Sequence, residues 1–377
     1  MKNKQPNLTS HFITITDPRI ERGKAHRLID IITIAICAVI AGAEGWVDIA
    51  DFGEAKQDWF RTFLSLPNGI PSHDTFGRVF SLLDPKQFQT SFAAWMRSVV
   101  TLTQGQVIAI DGKTNRRTGG ATLRPLHLVS AFATANGVAL GQVATDKKSN
   151  EITAIPELLK LLDISGCLIT TDAMGCQADI AADIVTRGGN YLLALKGNQG
   201  LLYRDVKAVF ADANTASLRS TNTSESSGHG RAERRTCEVL SGVDVTTRLR
   251  TNGNWPSLAS IVKVTAERTS KTTGVTSMQT RYYISSLKDP SPEAIQYSVR
   301  AHWGIENNLH WTIDMAFRED DSRIRTDNAP ANMAVLRHIA LNLIRGDKTR
   351  KVGIKASAKK AGWDVRYLER LLGGLTG

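Results

Sequence analysis

Apolar side chains recur at helical spacing through the first hundred residues of the chain. This periodicity predicts helices over 28–43, 46–64 and 75–100. Residues 67–76 contain two prolines and a glycine, which predict a break, and Ser72 or Asp74 is placed to cap the helix that follows. The pattern indicates a self-contained helical module over 1–100.

From residue 106 the apolar residues come instead in short unbroken runs, which are typical of buried strands. One run stops at Asp111, in QVIAIDGK (106–113), and another stops at Asp172, in GCLITTDAMG (166–175). In both cases a glycine stands shortly after the aspartate. Each carboxylate is therefore expected where a buried strand ends and the chain turns at the edge of the sheet.

The elements between and after these runs give an order of strands and helices. Asn136-Gly137 separates two strand-like runs within 126–145 and predicts a hairpin. Asn150 is placed to cap the helix EITAIPELLKLLD, which precedes the run that ends at Asp172. A helix over 176–187 and the buried strand YLLALK (191–196) follow.

Three antiparallel strands, helix, strand, helix, strand is the order of the ribonuclease H-like fold. In that fold the first and fourth strands are neighbours, which would bring Asp111 and Asp172 together. We therefore predict a mixed α/β protein, with a ribonuclease H-like core whose first part is 101–200. The helical module over 1–100 precedes this core.

Residues 201–288 depart from this order and predict a β-rich insertion. They begin with a helix, pass through a polar Ser/Thr/Gly-rich loop over 215–230, and end in strand-like runs at 259–264 and 280–287. The insertion separates Asp172 from the last part of the core.

Residues 289–345 predict two helices that complete the core. Ser291 is a candidate N-cap with Pro292 at the first helical position, and the pattern from there to 320 predicts one long helix. On this helix Glu306 shares a face with His302 and His310, one turn to either side. A second helix covers 329–345, and a basic tail, 346–377, follows.

Charge and cysteine content narrow the class of partner and compartment. The 377 residues include 47 basic and 36 acidic ones, and the net charge of +11 favours an anionic partner such as nucleic acid. Four widely spaced cysteines suggest reduced thiols in a cytoplasmic, nucleoid-associated protein. The apolar stretch 28–43 contains Asp30 and is short for a membrane span, and the N-terminus does not resemble a signal peptide.

Three carboxylates, Asp111, Asp172 and Glu306, suit a centre that holds two Mg²⁺ ions, with Mn²⁺ as a substitute, for phosphoryl transfer. A single aspartate at a strand end is often only a turn former, and most helix glutamates are simply solvated. His302, Glu306 and His310 also have the spacing of a zinc site, although no H-E-x-x-H pattern supports that alternative.

Several basic and aromatic residues are candidate DNA contacts, each with a plainer alternative. Lys113, Arg116 and Arg117 either grip phosphate or form a solvated loop. Trp303 either stacks on an unpaired base or belongs to the core. The remaining candidates are Lys196 after the YLLALK strand, Arg231 in GHGRAERR, and the basic tail, where seven basic residues face one acidic residue over 345–360.

Taken together, these motifs resemble the DDE transposases of bacterial insertion sequences, and most closely the ISAs-type group of H-repeat-associated proteins. The motifs that carry the resemblance are DGKTNRR, TDKKSNEITAIPELL, ITTDAMGCQ, YLLALKGNQ, GHGRAERR and HWGIENNLHW, with GIPSHDTFGRVF in the first module. The likeness covers nearly the whole chain.

The resemblance implies that Asp111, Asp172 and Glu306 form the metal-binding triad, with Asp111 bridging two ions. It also implies cleavage of element ends, strand transfer into target DNA, and a homo-oligomer assembled on DNA, with neither a small-molecule cofactor nor a membrane involved. The broader family carries arginine four residues before its glutamate and lysine seven after it. Here His302 and Ile313 stand at those places, and Arg300, His302 and His310 are the candidates to contact phosphate instead.

Two alternatives remain open from the sequence. One is a catalytically silent relic or domesticated regulator that only binds DNA. The other is a metal-dependent nuclease on the same fold that cleaves DNA without joining it.

Overall fold

The computed structural model describes residues 8–120, 124–145, 151–228, 230–242, 246–249 and 254–373. Five helices form the N-terminal region: α1 (Leu28–Ile40), α2 (Trp46–Ala55), α3 (Gln57–Phe60), α4 (His73–Leu82) and α5 (Pro85–Val99). The predicted cap at Ser72 is confirmed, because its hydroxyl accepts a hydrogen bond from the Thr75 amide. The predicted helix over 75–100 is interrupted after Leu82, where Asp84 caps α5 and Pro85 occupies its first position.

Nine strands of the described part of the chain form a single sheet. They are β1 (Val107–Thr114), β2 (His127–Ala133), β3 (Val138–Thr145), β4 (Leu168–Thr171), β5 (Asn190–Leu195), β6 (Ser220–Gly228), β7 (Arg231–Ser241), β8 (Ser260–Ser270) and β9 (Thr276–Ser285). Their order across the sheet is β3-β2-β1-β4-β5-β9-β8-β7-β6. The first five strands in this order have the predicted ribonuclease H-like arrangement.

Parallel pairing joins β1 to β4 and β4 to β5, and helices make the crossovers that parallel strands require. These helices are α6 (Glu151–Lys160) and α7 (Ala178–Thr186). The predicted cap of α6, Asn150, lies outside the described residues. The β2–β3 hairpin is confirmed, although its turn has positive φ at Gly137 and not at Asn136.

The insertion extends the core sheet. After α8 (Gly200–Ala211), β9 pairs with β5 of the core, and β8, β7 and β6 add successively outwards. The prediction of a polar loop over 215–230 is wrong, because Ser220–Gly228 is the edge strand β6. Most of β6 is exposed, so its Ser/Thr-rich sequence lacks the apolar alternation that reveals a half-buried strand.

The predicted single helix over 291–320 is divided into three parts. Ser291 caps α9 (Pro292–His302) as predicted, Glu306–His310 is a π-helix, and α10 (Trp311–Phe317) follows. Side chains stabilise the wider turn: the Thr312 hydroxyl donates to the Asn307 carbonyl, and the Arg345 guanidinium donates to the Asn308 carbonyl. One residue more per turn changes which side chains share a face, and such turns often occur at functional sites.

The helix α11 (Ala329–Gly346) lies at the centre of the fold, with 15 of its 18 residues buried. Asn332 donates to the carbonyls of Phe80 and Leu83, which ties α11 to the N-terminal helices. The N-terminal helices and the core therefore share one hydrophobic cluster.

The region predicted as a basic tail folds into two helices, α12 (Ile354–Trp363) and α13 (Val365–Leu371). Their apolar faces, which include Ala361 and Leu368, are buried in the main cluster. Within the described residues, no helix is long and apolar enough to cross a membrane.

We predict that Asn342→Ala lowers the free energy of unfolding by about 2–4 kcal/mol. The Asn342 side chain makes paired hydrogen bonds of 2.8 and 2.9 Å with the carbonyl and amide of Ala139, so alanine leaves both buried groups unpaired. Urea unfolding of the variant measures the loss. Asn254→Ala, at an exposed position, is the control, and equal stability of the two variants would contradict the prediction.

Candidate active site

The parallel register of β1 and β4 places two aspartates side by side. Ile110 pairs with Thr171, and Asp111 and Asp172 are the residues that follow them in the chain. The first and fourth strands are therefore neighbours, as predicted. The two strands differ in one respect: β4 ends at Thr171, whereas β1 continues to Thr114 alongside β2, so Asp111 lies within a strand.

The side chain of Asp172 is held by the loop that follows it. Its Oδ1 atom accepts hydrogen bonds from the amides of Met174 at 2.9 Å and Gly175 at 3.3 Å. None of the hydrogen bonds in the described part of the chain uses Oδ2 of Asp172. One oxygen of the carboxylate is thus fixed by the backbone, and the other remains available to a ligand.

The surroundings of Asp111 strongly raise the pKa of its carboxyl group. Burial and the neighbouring charge of Asp172 raise its pKa to about 7, and Glu306 and Glu151 add to the effect. The three predicted carboxylates are therefore close enough to interact electrostatically, although 195 positions separate Asp111 from Glu306. A centre that accumulates negative charge in a buried position is suited to bind a cation.

Glu306 is the first residue of the π-helix and is exposed, whereas the two histidines beside it are mostly buried. Nδ1 of His302 lies 3.0 Å from the Thr170 hydroxyl, and Nδ1 of His310 lies 3.7 Å from Oδ2 of Asp111. Burial lowers the pKa of His302 to about 4 and that of His310 to about 3. Both imidazoles are neutral at pH 7, so neither would bring positive charge to the predicted phosphate contacts.

The donor set partly fits the predicted metal ions. Carboxylate oxygens are the ligands that Mg²⁺ prefers, and Asp111 and Asp172 offer them at one level of the sheet. In the described residues, however, no three histidine, cysteine, aspartate or glutamate side chains are close enough to hold one ion. This finding also leaves the zinc alternative, with His302, Glu306 and His310, without support.

A buried histidine–glutamate pair behind Asp111 was not predicted. Nε2 of His127 lies 2.7 Å from Oε1 of Glu151, and a β-carbon at Gly112 would overlap both atoms. Gly112 is therefore required for close packing, and it does not mark a turn as the sequence suggested. Glu151 looked like an ordinary first-turn acidic residue of α6, so only its place in the quoted TDKKSNEITAIPELL motif hinted at a role.

Lys113 lies in a buried ion cluster. Its ammonium contacts the carboxylates of Asp314, Glu319 and Asp320, and Arg337 lies on the other side of Glu319 at 3.6 Å. Three carboxylates already neutralise this cation, so the geometry favours a structural role for Lys113 in place of the predicted phosphate contact.

The other predicted DNA contacts are distributed over the surface. Arg116 and Arg117 are exposed and pair with Asp320 and Asp321 at 3.6 and 3.1 Å. Arg300 is exposed on α9, and Arg231 begins β7 at the tip of the β6–β7 hairpin. Counted along β7, Arg231 lies roughly 20 Å from Cys237, which is at the level of Arg281 across the sheet.

A cleft of about 300 Å³ opens beside Asp172. Lys196, Trp303 and the unpredicted Arg281 line it, together with Tyr203 of α8 and residues of β5 and β9. The Arg281 guanidinium lies 4.5 Å from the centroid of the Trp303 ring, and Trp303 keeps 37% of its surface exposed. Trp303 therefore lies at the surface of this cleft and not in the core.

Comparison with known protein families decides the class of the protein. The family described as DDE_Tnp_1-associated matches residues 9–96, and the family described as Transposase DDE domain matches residues 102–343. The chain belongs to the DDE transposase family.

Relatives in this family match almost end to end. The "H repeat-associated putative transposase YhhI" of Escherichia coli (strain K12) is 42% identical over 97% of this chain and 98% of its own length. The "Putative transposase YncI" of Escherichia coli O157:H7 is 41% identical over 97% of this chain and 94% of its own. These relatives confirm the H-repeat-associated group that the motifs predicted.

This chain also aligns with a chain of a solved piggyBac transposase synaptic complex with hairpin DNA. The alignment covers 97% of this chain and 76% of that chain, at a TM-score of 0.46 and 12% identity. That likeness is too low to carry conclusions about the site. The fold assignment comes from the strand order and from the family match.

We predict that Asp111→Asn stabilises the protein without divalent cations, by an amount that grows from about pH 4 to about pH 7 and then levels off. The folded-state pKa of Asp111 is raised to about 7, above its ordinary value of 3.8. Stability from the protonated carboxyl is therefore complete at low pH and is lost as the pH rises through 7. Asparagine stays neutral, so its advantage is on the order of a few kcal/mol at high pH.

The measurement is the difference between the unfolding free energies of the wild type and the variant at each pH. Taking the difference removes the contributions of His302, His310 and other titrating groups that both proteins share. A difference that does not change with pH would show that Asp111 is an ordinary exposed carboxylate.

Proposed function

We propose that this protein is an insertion-sequence transposase that cleaves the element's DNA ends and joins them to target DNA, with Mg²⁺ as its cofactor. The observation that carries the proposal is the group of Asp111, Asp172 and Glu306, which share an electrostatic environment that raises the pKa of Asp111. Membership of the DDE transposase family supports it, as does the net charge of +11.

We assign the three carboxylates to cation binding. Asp111 interacts electrostatically with both Asp172 and Glu306, and the three carboxylates together would hold the ions. Bound Mg²⁺ would activate the attacking oxygen and stabilise the leaving oxygen of an in-line displacement at phosphorus. The backbone amides of Met174 and Gly175 fix the Asp172 carboxylate, so that its free oxygen needs little reorganisation to bind a ligand.

The histidines beside Glu306 have a different role in this proposal. His310 is buried and neutral next to Asp111, and His302 is anchored on Thr170 of β4. Both hold the glutamate segment against the ends of the core strands without adding positive charge. They are positioning residues.

We assign DNA contacts to the exposed candidates. Lys196, Arg231 and Arg300 supply positive charge, and Trp303 offers an exposed indole face on which an unpaired base can stack. Because both ends of an element must be held together for transfer, the working species is a homo-oligomer on DNA.

Asp111→Asn, Asp172→Asn and Glu306→Gln should each reduce Mg²⁺-dependent DNA cleavage by at least about 10³-fold, since each removes a negative ligand worth several kcal/mol in the transition state. DNA binding should persist, because the substitutions remove negative charge near the DNA. Gel assays of end cleavage and strand transfer measure the first effect, and fluorescence anisotropy measures the second.

Asp58→Asn is the control, because this side chain is fully exposed on an N-terminal helix. Cleavage retained in Asp111→Asn would refute the assignment of the triad. Cleavage without joining in the wild type would identify a nuclease. DNA binding without either reaction would identify a silent or domesticated relative.

Added Mg²⁺ should raise the melting temperature of the wild type, because binding to the folded state alone stabilises it. Asp111→Asn should lose most of this shift, whereas Asp58→Asn should keep it. Differential scanning fluorimetry at increasing Mg²⁺ concentration makes this measurement without reference to catalysis. Equal shifts in all three proteins would place Mg²⁺ binding elsewhere.

A further inference from the structure

Two cations face each other where the insertion joins the core sheet. The antiparallel strands β5 and β9 pair up to Leu195 with Tyr282, and the next pair in this register is Lys196 with Arg281. Both side chains line the cleft beside Asp172. Like charges at directly opposite positions of an antiparallel pair repel each other and destabilise the sheet.

The described residues do not relieve this repulsion. None of the ion pairs among them involves Lys196 or Arg281, whereas most other basic side chains of the insertion have carboxylate partners, such as Arg268 with Glu233. The contacts of Arg281 are with neutral groups: Nη2 donates to Gln279 at 3.2 Å, the guanidinium also hydrogen-bonds Tyr283, and it lies over the Trp303 ring. Arg281 is thus held in place without an ion-pair partner among the described residues.

The position of the pair indicates the kind of anion that would compensate it. The cleft is bounded by Asp172 on one side and by the aromatic rings of Trp303, Tyr203 and Tyr282 on others. A nucleic acid strand presents phosphates and flat bases together, and this combination matches a cleft with two cations and aromatic walls.

We propose that Lys196 and Arg281 form a phosphate clamp that holds the DNA strand beside the catalytic carboxylates. The inference rests on the proposed function and adds a residue of the insertion to the active site. The two cations bind one phosphodiester between them, and Trp303 keeps the guanidinium plane of Arg281 turned towards it. Charge-assisted hydrogen bonds from both residues replace their mutual repulsion with attraction to the phosphate.

The insertion therefore has a specific task at the site. Arg281 belongs to β9, which pairs directly with β5 of the core, so the insertion supplies positive charge that the neutral His302 of the adjacent helix does not. The sequence run TRYYISSL gave no sign of this role, since it looked like an ordinary strand.

The test is DNA binding by the full-length protein with Arg281→Ala, Lys196→Ala and the double substitution. The probe is a short fluorescent DNA of mixed sequence, used as single strand and as duplex, in a series of salt concentrations. Each single variant should bind about tenfold more weakly at low salt, and the slope of log affinity against log salt should fall by about 0.7–0.9. The double variant should lose less than the sum of the two, because both residues contact one phosphate.

Lys288→Ala is the matched control. It removes one exposed positive charge just after β9, away from the cleft, and should keep the wild-type affinity and slope. Arg281→Lys retains charge but not the planar group that stacks on Trp303, so it should recover only part of the affinity.

Melting temperature separates a clamp from a merely structural pair. Removing one of two opposed like charges should leave the melting temperature of the DNA-free protein unchanged or raise it. A lowered melting temperature in Arg281→Ala would overturn the proposal, and so would unchanged DNA affinity and salt slope.

The clamp and the transposase assignment can fail separately. If Arg281→Ala binds DNA as the wild type does while Asp111→Asn abolishes cleavage, the clamp is wrong and the catalytic proposal stands. If Arg281→Ala loses affinity as expected while Asp111→Asn still cleaves, the clamp is supported as a DNA-binding site and the catalytic triad is wrong.

Discussion

The parallel pairing of β1 with β4 is the constraint on which the rest of the site depends. It places Asp111 and Asp172 at one level of the sheet, although they are far apart in the chain. Because side chains alternate along a strand, a slip of one residue would turn one aspartate to the opposite face. Ile108, Ile110 and Ile169 are fully or almost fully buried on these two strands, so burial of apolar surface is what fixes the register.

The surroundings shift the pKa of two buried acidic residues, Glu319 and Asp111, in opposite directions. Glu319 is buried, which raises its pKa, yet Lys113 and Arg337 outweigh burial and hold that pKa below its usual value. Asp111 is also buried, but its charged neighbours are other carboxylates, and its pKa rises to about 7. The group around Glu319 is internally neutralised and supports the fold. The group around Asp111 stores repulsion that a cation would relieve, which is typical of a functional site.

The order of the core strands and the two aspartates could be predicted because both depend on local patterns. Apolar runs of strand length, a hairpin at Asn136-Gly137 and a crossover helix suffice to define the neighbours of β1. The same patterns placed Glu306 on a helix near His302 and His310. These parts of the structure are determined by residues that are close to one another in sequence.

What could not be predicted depends on partners distant in sequence. Lys113 looked like a candidate phosphate ligand because it closely follows Asp111 in a basic loop, whereas its carboxylate partners Asp314, Glu319 and Asp320 come about 200 residues later. The π-helix depends on Arg345, which donates to Asn308 from another helix. The edge strand β6 has no buried face, so its sequence lacks the apolar alternation from which a strand can be predicted.

The same reasoning explains why the contribution of the insertion to the site is visible only in the folded sheet. Arg281 becomes a neighbour of Lys196 because β9 pairs with β5, a contact that no local pattern in either strand specifies. Once the pairing is made, this edge of the sheet combines carboxylates from the core strands with a cation from the insertion. A centre for phosphoryl transfer needs both, since the carboxylates hold metal ions and repel the phosphate backbone that must approach them. In the proposed complex, positive charge beside these strands of the same sheet would offset that repulsion where the DNA lies.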